Sequence, residues 1–199
     1  MTIDRARFER GLTYDAYKGQ MTRNRDRLEE NERRVQLGTE DVAAFRGLPR
    51  SLHVLVLAED WCGDVIANLP VLARLARESG RLNVRIFLRD QNDDIMQRYL
   101  NKGQFKSIPV FVFFDQDFGE LGHWIERPQS VTDLRAKRRS EVFAANPEFG
   151  SPDAPVDLLR EDVRARLAAE LQKMREETVS FANGEVVREL LELVTRVAA

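Results

Sequence analysis

Cysteine is the residue that this sequence most nearly lacks, because Cys62 is the only one in 199 residues. A single cysteine cannot form an intramolecular disulfide, which excludes a small scaffold held together by disulfide bonds. Histidine occurs only twice. There is also no His-rich metal pattern, no glycine-rich phosphate loop and no Gly-x-Ser-x-Gly elbow. Because a lone thiol stays reduced in a reducing compartment, we expect a cytoplasmic protein.

An excess of charge of one sign and long apolar runs are missing as well. The formal net charge is −2, and arginines alternate with acidic residues instead of forming a patch. Neither nucleic acid nor a membrane is therefore an expected partner. No stretch approaches the roughly 20 apolar residues that cross a bilayer, and the first ten residues lack the apolar core of a signal peptide. The charged fraction of 32% is typical of a soluble protein with exposed helices.

The stretch around Cys62 has the strongest local pattern. Residues 52–58 are apolar except for His53, and a run of this length predicts a strand buried on both faces. Apolar residues then recur at helical spacing from Val65 to Ala76. Cys62 therefore lies where a buried strand turns into a helix. The N–H groups and the dipole at a helix start favour an anion, including a thiolate.

Two segments resemble the thioredoxin superfamily. Residues 59–64 read Glu-Asp-Trp-Cys-Gly-Asp, and residues 107–110 read Ser-Ile-Pro-Val, which is similar to the cis-proline segment of that fold. The sequence looks most like bacterial thioredoxin-like proteins with a Trp-Cys-Gly-Asp active site. The resemblance implies an α/β fold, a four-stranded mixed sheet flanked by helices. The strands are expected in the order 84–88, 52–58, 110–114, 120–126.

The resemblance also implies roles for individual residues. The nucleophile is expected at Cys62, supported by its neighbours Trp61, Gly63 and Asp64. A cis peptide bond is expected between Ile108 and Pro109. The backbone of Ile108 is expected to bind an extended substrate chain while the substrate sulfur meets the cysteine.

Two positions depart from redox-active thioredoxins. Val65 stands where those proteins have their second cysteine, and Val56 stands where many have a buried acid. Three acids, Glu59, Asp60 and Asp64, lie close to the cysteine in sequence and oppose the thiolate that the helix dipole favours. We therefore expect a thiol less acidic than that of a strong oxidant. No nearby cation is assigned from the sequence.

Three ranges are expected along the chain. They are a helical N-terminal arm at residues 1–50, a thioredoxin-like domain at 51–145 and a helical C-terminal extension at 156–199, with 146–155 as a linker. The extension is predicted as two amphipathic helices separated at Asn183-Gly184. Their apolar faces either pack back on the sheet or join two chains, so a monomer and a homodimer both stay open.

The leading hypothesis for function is thiol–disulfide exchange by a single cysteine. Cys62 would attack a protein or low-molecular-weight disulfide, and an outside thiol would release the mixed disulfide. The alternatives are a redox-inactive module that binds peptides or proteins, and a redox sensor based on Cys62. No cofactor and no metal are expected. The acidic runs at residues 90–94 and 115–119 instead fit a helix start and a turn.

Overall fold

The computed structural model describes residues 3–198, with side-chain surroundings as far as Arg196. The predicted range 1–50 begins with Met1 and Thr2, and the predicted range 156–199 ends with Ala199. These three residues lie outside the described part. The strands are β1 (Leu52–Ala58), β2 (Leu82–Leu88), β3 (Val110–Phe114) and β4 (Glu120–Ile125). The helices are α1 (Arg5–Glu9), α2 (Tyr14–Gln20), α3 (Arg25–Arg34), α4 (Thr39–Arg46), α5 (Gly63–Ser79), α6 (Asp93–Met96), α7 (Gln129–Ala145), α8 (Glu161–Glu177) and α9 (Val179–Ala198). Within the described residues, none of them is long and apolar enough to cross a membrane.

The four strands form one mixed sheet in the order β2-β1-β3-β4. β1 is parallel to β2 and antiparallel to β3, and β3 is antiparallel to β4. The predicted order is confirmed, with β2 beginning at Leu82 instead of residue 84 and β4 ending at Ile125 instead of residue 126. Helices flank the sheet, and the predicted α/β fold class is confirmed as well.

β1 is the central strand on which the site depends. All of it except His53 is buried. It pairs with β2 on one side and with β3 on the other, so its backbone groups are satisfied at both edges. Two of these pairs, Ala58 with Leu88 and Leu57 with Val110, bring the end of β1 to the end of β2 and the start of β3. The loop that carries the cysteine leaves the sheet at this edge.

Helix α5 contains a proline, Pro70, which has no N–H to donate to the carbonyl of Ile66. Asn31 of α3 supplies the missing donor, with its Nδ2 2.9 Å from the oxygen of Ile66. On the same helix Leu69 and Leu72 are fully buried. A helix of the N-terminal arm therefore completes the hydrogen bonding of the helix that begins at the cysteine.

The described residues divide into two compact units. One unit runs up to Arg127 and resumes at Val186, and the other is Pro128–Glu185. These boundaries differ from the predicted ranges 51–145 and 156–199. The difference arises because side chains from both ends of the chain join one core with the sheet.

The core of the first unit draws on the arm and on the last helix. Phe8 and Tyr17 of the arm are buried in it, and Leu12 exchanges two backbone hydrogen bonds of 2.8 Å with Ile86 of β2. The buried residues of the last helix in this core are Val186, Val187, Leu190, Leu193 and Val194. This apolar face is therefore covered within the chain.

The second unit has a small core of its own, formed by Phe143, Phe149 and Leu167. Two sequence predictions are wrong in this region. Residues 146–155 are not simply a linker, since Phe149 is buried within a short 3-10 helix. The chain is also not broken at Asn183-Gly184, because α9 runs through both residues. A single glycine costs a helix only about 1 kcal/mol, which tertiary packing outweighs.

The role of Asn31 can be tested by a double-mutant cycle. Asn31→Ala should lower the free energy of unfolding by about 1–3 kcal/mol, because the Ile66 carbonyl loses its donor. In a Pro70→Ala background residue 70 regains its N–H, so the same substitution should cost less than about 1 kcal/mol. Urea unfolding of the four chains measures these free energies. Equal costs in both backgrounds would contradict the assigned hydrogen bond.

Candidate active site around Cys62

Cys62 is the N-cap residue of α5 and directly precedes its first residue. The backbone N–H groups of Asp64 and Val65 lie at the helix start beside its sulfur and favour the thiolate form, although neither makes a capping hydrogen bond to the thiol. In the thiol form, Sγ donates a hydrogen bond to the carbonyl of Ile108 at 3.4 Å. The residue is partly exposed. The sulfur is thus held between a helix start and the segment that leads into β3.

The segment facing the sulfur contains a cis peptide bond between Ile108 and Pro109. The carbonyl of Pro109 accepts the N–H of Glu126 at 2.8 Å, and β3 begins at the next residue. Both Ile108 and Pro109 are buried. The structure therefore brings the predicted nucleophile and the predicted substrate-binding residues together, with the Ile108 carbonyl already bonded to the thiol.

Opposing effects set the protonation of Cys62. Burial is the largest of them and raises the pKa of the thiol above its ordinary value, and the charges of Asp64 and Glu126 raise it further. The nearby N–H groups of Val65 and Asp64 lower the pKa without offsetting burial. The thiol is therefore mostly protonated at neutral pH, in line with the expectation of a weakly acidic thiol.

A cation that sequence reasoning did not find lies beside the thiol. Arg127 is 3.0 Å from Oδ2 of Asp64 and 2.6 Å from Oε1 of Glu126. Burial would lower the pKa of its guanidinium, but Glu126, Asp64 and Cys62 raise it on balance. Arg127 therefore offsets part of the negative charge that Asp64 brings to the site.

Glu126 connects several segments of the site. Its backbone adopts φ 65°, in the left-handed region that non-glycine residues seldom occupy. Its carbonyl accepts from Nδ2 of Asn68 at 2.8 Å, and its carboxylate accepts from Asn101 at 3.0 Å and from Ser107. Burial would raise the pKa of this carboxyl, but these hydrogen bonds and the neighbouring guanidinium lower it on balance. A charged glutamate thus holds the cis-proline segment in place.

The loop between β1 and α5 is bound to the N-terminal arm by Asp60. Oδ2 of Asp60 accepts from the N–H groups of Thr22 at 2.7 Å and of Arg23 at 3.0 Å. Its backbone carbonyl accepts from Nδ2 of Asn24 at 2.9 Å. The connection between α2 and α3 is therefore a structural part of the active-site loop.

The two neighbours of Cys62 leave its sulfur approachable. Trp61 is 42% exposed, and the guanidinium of Arg89 lies 4.8 Å from the centre of one of its rings. At Gly63 no atom beyond its two chain neighbours and the backbone of its own helix lies within 4 Å of the place where a Cβ would stand. A partner can therefore approach the thiol past an aromatic surface and an open helix start.

Neither histidine belongs to the site. His53 stacks on Phe118 with ring centres 4.6 Å apart. His123 lies against Tyr99 with ring centres 5.2 Å apart. Among the residues that the structure describes, no group of three or more His, Cys, Asp or Glu side chains is arranged to hold a metal ion.

The two positions that depart from redox-active thioredoxins are filled by core side chains. Val65 and Val56 are both fully buried. Val56 pairs with Ile86 and Phe111 in the sheet, among apolar neighbours. No second thiol is present to release a mixed disulfide, and residue 56 itself carries no acid.

Glu126 and Arg127 were missed at the sequence level because they follow β4, far from the cysteine along the chain. The predicted strand order contains a signal that could have found them. In an antiparallel pair, the end of β4 lies beside the start of β3, as Val110 opposite Ile125 shows. Residues directly after β4 therefore lie next to Pro109.

Charge substitutions should move the pKa of Cys62 in opposite directions. Asp64→Asn removes negative charge and should lower the pKa, whereas Arg127→Gln removes the cation and should raise it. The pH dependence of iodoacetamide alkylation measures each pKa. The unmodified protein should react more slowly than free cysteine at pH 7, because burial keeps its thiol protonated.

The matched control is Glu40→Gln on α4, which changes the net charge as Asp64→Asn does but away from the site. Its alkylation profile should overlay that of the unmodified protein. Shifts of the same sign in Asp64→Asn and Arg127→Gln would contradict the assigned electrostatics.

Comparison with solved structures identifies proteins that share the fold. A protein of unknown function from Pseudomonas aeruginosa is 20% identical, with a TM-score of 0.64 and 100% of both chains covered. An HIV epitope scaffold is 19% identical, with a TM-score of 0.64, 98% of this chain and 99% of the scaffold covered. Likeness at these identities shows the fold alone.

No curated protein matches the chain. A family sequence model described as thioredoxin matches residues 11–139. This range contains the whole sheet, the loop with Cys62 and the segment with Pro109. Since it covers more than half of the sequence, the chain belongs to this thioredoxin-like family.

Proposed function

We propose that this protein performs thiol–disulfide exchange through the single thiol of Cys62. The thiolate attacks one sulfur of a substrate disulfide and forms a bond to it, while the other sulfur leaves as a thiolate and takes up a proton. An external thiolate then attacks the substrate sulfur of this mixed disulfide. Cys62 leaves as a thiolate, and the substrate sulfur becomes bonded to the external thiol.

The position of Cys62 at the start of α5 is the observation that carries this proposal. The N–H groups of Asp64 and Val65 lie beside its sulfur at the helix start. They stabilise the negative charge both before the attack and when Cys62 leaves the mixed disulfide. The open space at Gly63 gives a substrate sulfur room to approach.

The carbonyl of Ile108 is proposed as a substrate contact. It accepts the S–H of Cys62, and it loses this donor when the thiolate forms. A backbone N–H of an extended substrate then supplies a new donor to the carbonyl. Under this proposal, substrate binding and thiolate formation favour each other.

The proposed partners are a protein or low-molecular-weight disulfide and an external thiol, and the proposed location is the reducing cytoplasm. The Trp-Cys-Gly-Asp motif at residues 61–64, followed by Val65, supports a place among single-cysteine thioredoxin-like proteins. A sequence with one cysteine depends on another molecule for release of the mixed disulfide. Both a monomer and a homodimer are compatible with this chemistry.

The raised pKa of Cys62 favours a second candidate, a redox-inactive module that binds a peptide or protein. A protonated thiol attacks disulfides slowly at neutral pH. Val56 also offers no acid to move the proton during release of a mixed disulfide. The remaining alternative is a redox sensor, in which oxidation of the Cys62 thiol is the signal.

Val65→Cys tests whether the remaining site is competent for exchange. Residue 65 lies one helical turn after Cys62, so its thiol should form a disulfide with Cys62 and release bound substrate. The variant should reduce insulin with turnover when supplied with dithiothreitol. The unmodified protein should accumulate mixed disulfides, detected by intact mass, or turn over only with an external thiol.

Cys62→Ser is the control and should abolish both the reduction of insulin and the formation of mixed disulfides. The experiment also separates the two candidate functions. A thiol that is alkylated by iodoacetamide yet forms no mixed disulfide with excess small disulfide at pH 9 would contradict exchange and favour the binding module.

A further inference from the structure

A cavity of about 340 Å³ lies beside the loop that carries the cysteine. Its walls include the ring of Tyr17, the side chains of Met21 and Leu88, and the acids Glu59 and Asp60. The carbonyl of Glu59 accepts the N–H of Cys62 at 3.3 Å, so one wall of the cavity is continuous with the nucleophile. The exchange chemistry proposed above makes no use of this space.

The hydroxyl of Tyr17 is the first unexplained group in this cavity. Tyr17 is 1% exposed, and its Oη is buried with no hydrogen-bond partner among the residues that the structure describes. Burial raises the pKa of this phenol most, followed by the charges of Asp60, Glu59 and Cys62. The hydroxyl therefore lies at the end of the ring that faces the active-site loop. A buried hydroxyl without a partner is costly, so its presence needs an explanation.

The carboxylate of Glu59 is the second unexplained group in this cavity. Glu59 is 9% exposed, and among the described residues its side chain accepts a hydrogen bond from the N–H of Asp90, 2.8 Å from Oε1. Burial raises the pKa of this carboxyl despite that hydrogen bond. Within the described part of the chain, neither Glu59 nor Asp60 forms an ion pair. The nearby guanidinium of Arg89 instead pairs with Asp90 at 2.7 Å.

The chemistry of the cavity walls indicates which kind of ligand group the cavity binds. The ring of Tyr17 with Met21 and Leu88 suits an apolar stem, as in a lysine side chain. At the end of the stem, an ammonium group has three N–H donors and no acceptor. It can donate to the Tyr17 hydroxyl and to the Glu59 carboxylate together, which satisfies both. A carboxylate in the same place would be repelled by Glu59 and Asp60.

We propose that this cavity is a specificity subsite for disulfide substrates that carry an alkylammonium group close to the sulfur attacked by Cys62. The group is either the amine of a small disulfide or a lysine side chain next to a cysteine in a peptide. This inference rests on the proposed exchange function. It adds the substrate class, which the site around the sulfur does not define.

The test compares rates of mixed-disulfide formation, followed by intact mass at one pH. The probes are cystamine, which carries two ammonium groups, and bis(2-hydroxyethyl) disulfide, its neutral analogue. Cysteamine is a better leaving thiol than 2-mercaptoethanol, so the rate ratio is defined as the cystamine rate over the neutral-probe rate, divided by the same quotient measured with free N-acetylcysteine. This ratio should be about ten, the effect of one hydrogen bond to a charged group. Because both probes react with the same thiol, their rate ratio is independent of changes in its pKa.

Two variants should remove the preference. Glu59→Gln should bring the rate ratio close to one. Tyr17→Phe should reduce it while keeping or raising the melting temperature, because the deleted hydroxyl has no partner in the chain. A lower melting temperature with an unchanged ratio would assign the hydroxyl to the fold and overturn the proposal.

Asp64→Asn is the matched control, since it removes one negative charge near the thiol but outside the cavity. It should keep the rate ratio within about twofold of the unmodified protein, because Asp64 does not line the cavity and its carboxylate pairs with Arg127 at 3.0 Å. If Asp64→Asn lowered the rate ratio as much as Glu59→Gln does, general attraction of cations would explain the preference. This result would overturn the subsite.

A pair of peptide disulfides, with Lys or Gln next to the cysteine, identifies the source of the ammonium group. A preference for the Lys peptide supports a peptide substrate, and a preference confined to cystamine supports a small disulfide. Equal rates for all probes would overturn the subsite and leave exchange intact. No reaction with any disulfide would overturn the exchange function and this inference with it.

Discussion

The contact between the sulfur of Cys62 and the carbonyl of Ile108 is the constraint on which the site depends. It requires the start of α5 and the segment before β3 to meet at one edge of the sheet. The pairing of Leu57 with Val110 brings them there. Each side is then held by a different residue. Asn31 supplies the donor that the proline of α5 lacks, and Glu126 holds the cis-proline segment. The position of the thiol is therefore a property of the sheet and its supports.

The electrostatics of the site follow from the partial burial of Cys62. Burial favours the neutral thiol, and two backbone N–H groups at the helix start oppose it. Two of the acids around the loop are compensated, Asp64 by Arg127 and Asp60 by backbone N–H groups of the arm. The result is a protonated, accessible thiol that becomes reactive when a proton is removed. Under the proposed exchange, such a thiol attacks disulfides faster as the pH rises.

The N-terminal arm is part of the site and not an addition to it. Asn31 completes α5, Thr22 and Asn24 fix the loop through Asp60, and Tyr17 lines the cavity next to Glu59. Local sequence patterns gave no sign of these contacts, because the arm reads as charged amphipathic helices. Their polar residues acquire a function only when the sheet places the loop against them.

The sequence by itself determined the fold class, the strand order and the place of Cys62 at a helix start. The fold class and the strand order follow from the resemblance to the thioredoxin superfamily at residues 59–64 and 107–110, and the helix start follows from an apolar run and helical spacing. Only the tertiary structure decided which charges surround the thiol, because Arg127 and Glu126 reach it through the pairing of β4 with β3. It also decided that α9 is continuous at Asn183-Gly184. Packing free energy, which a local pattern does not contain, outweighs the small cost of one helical glycine there.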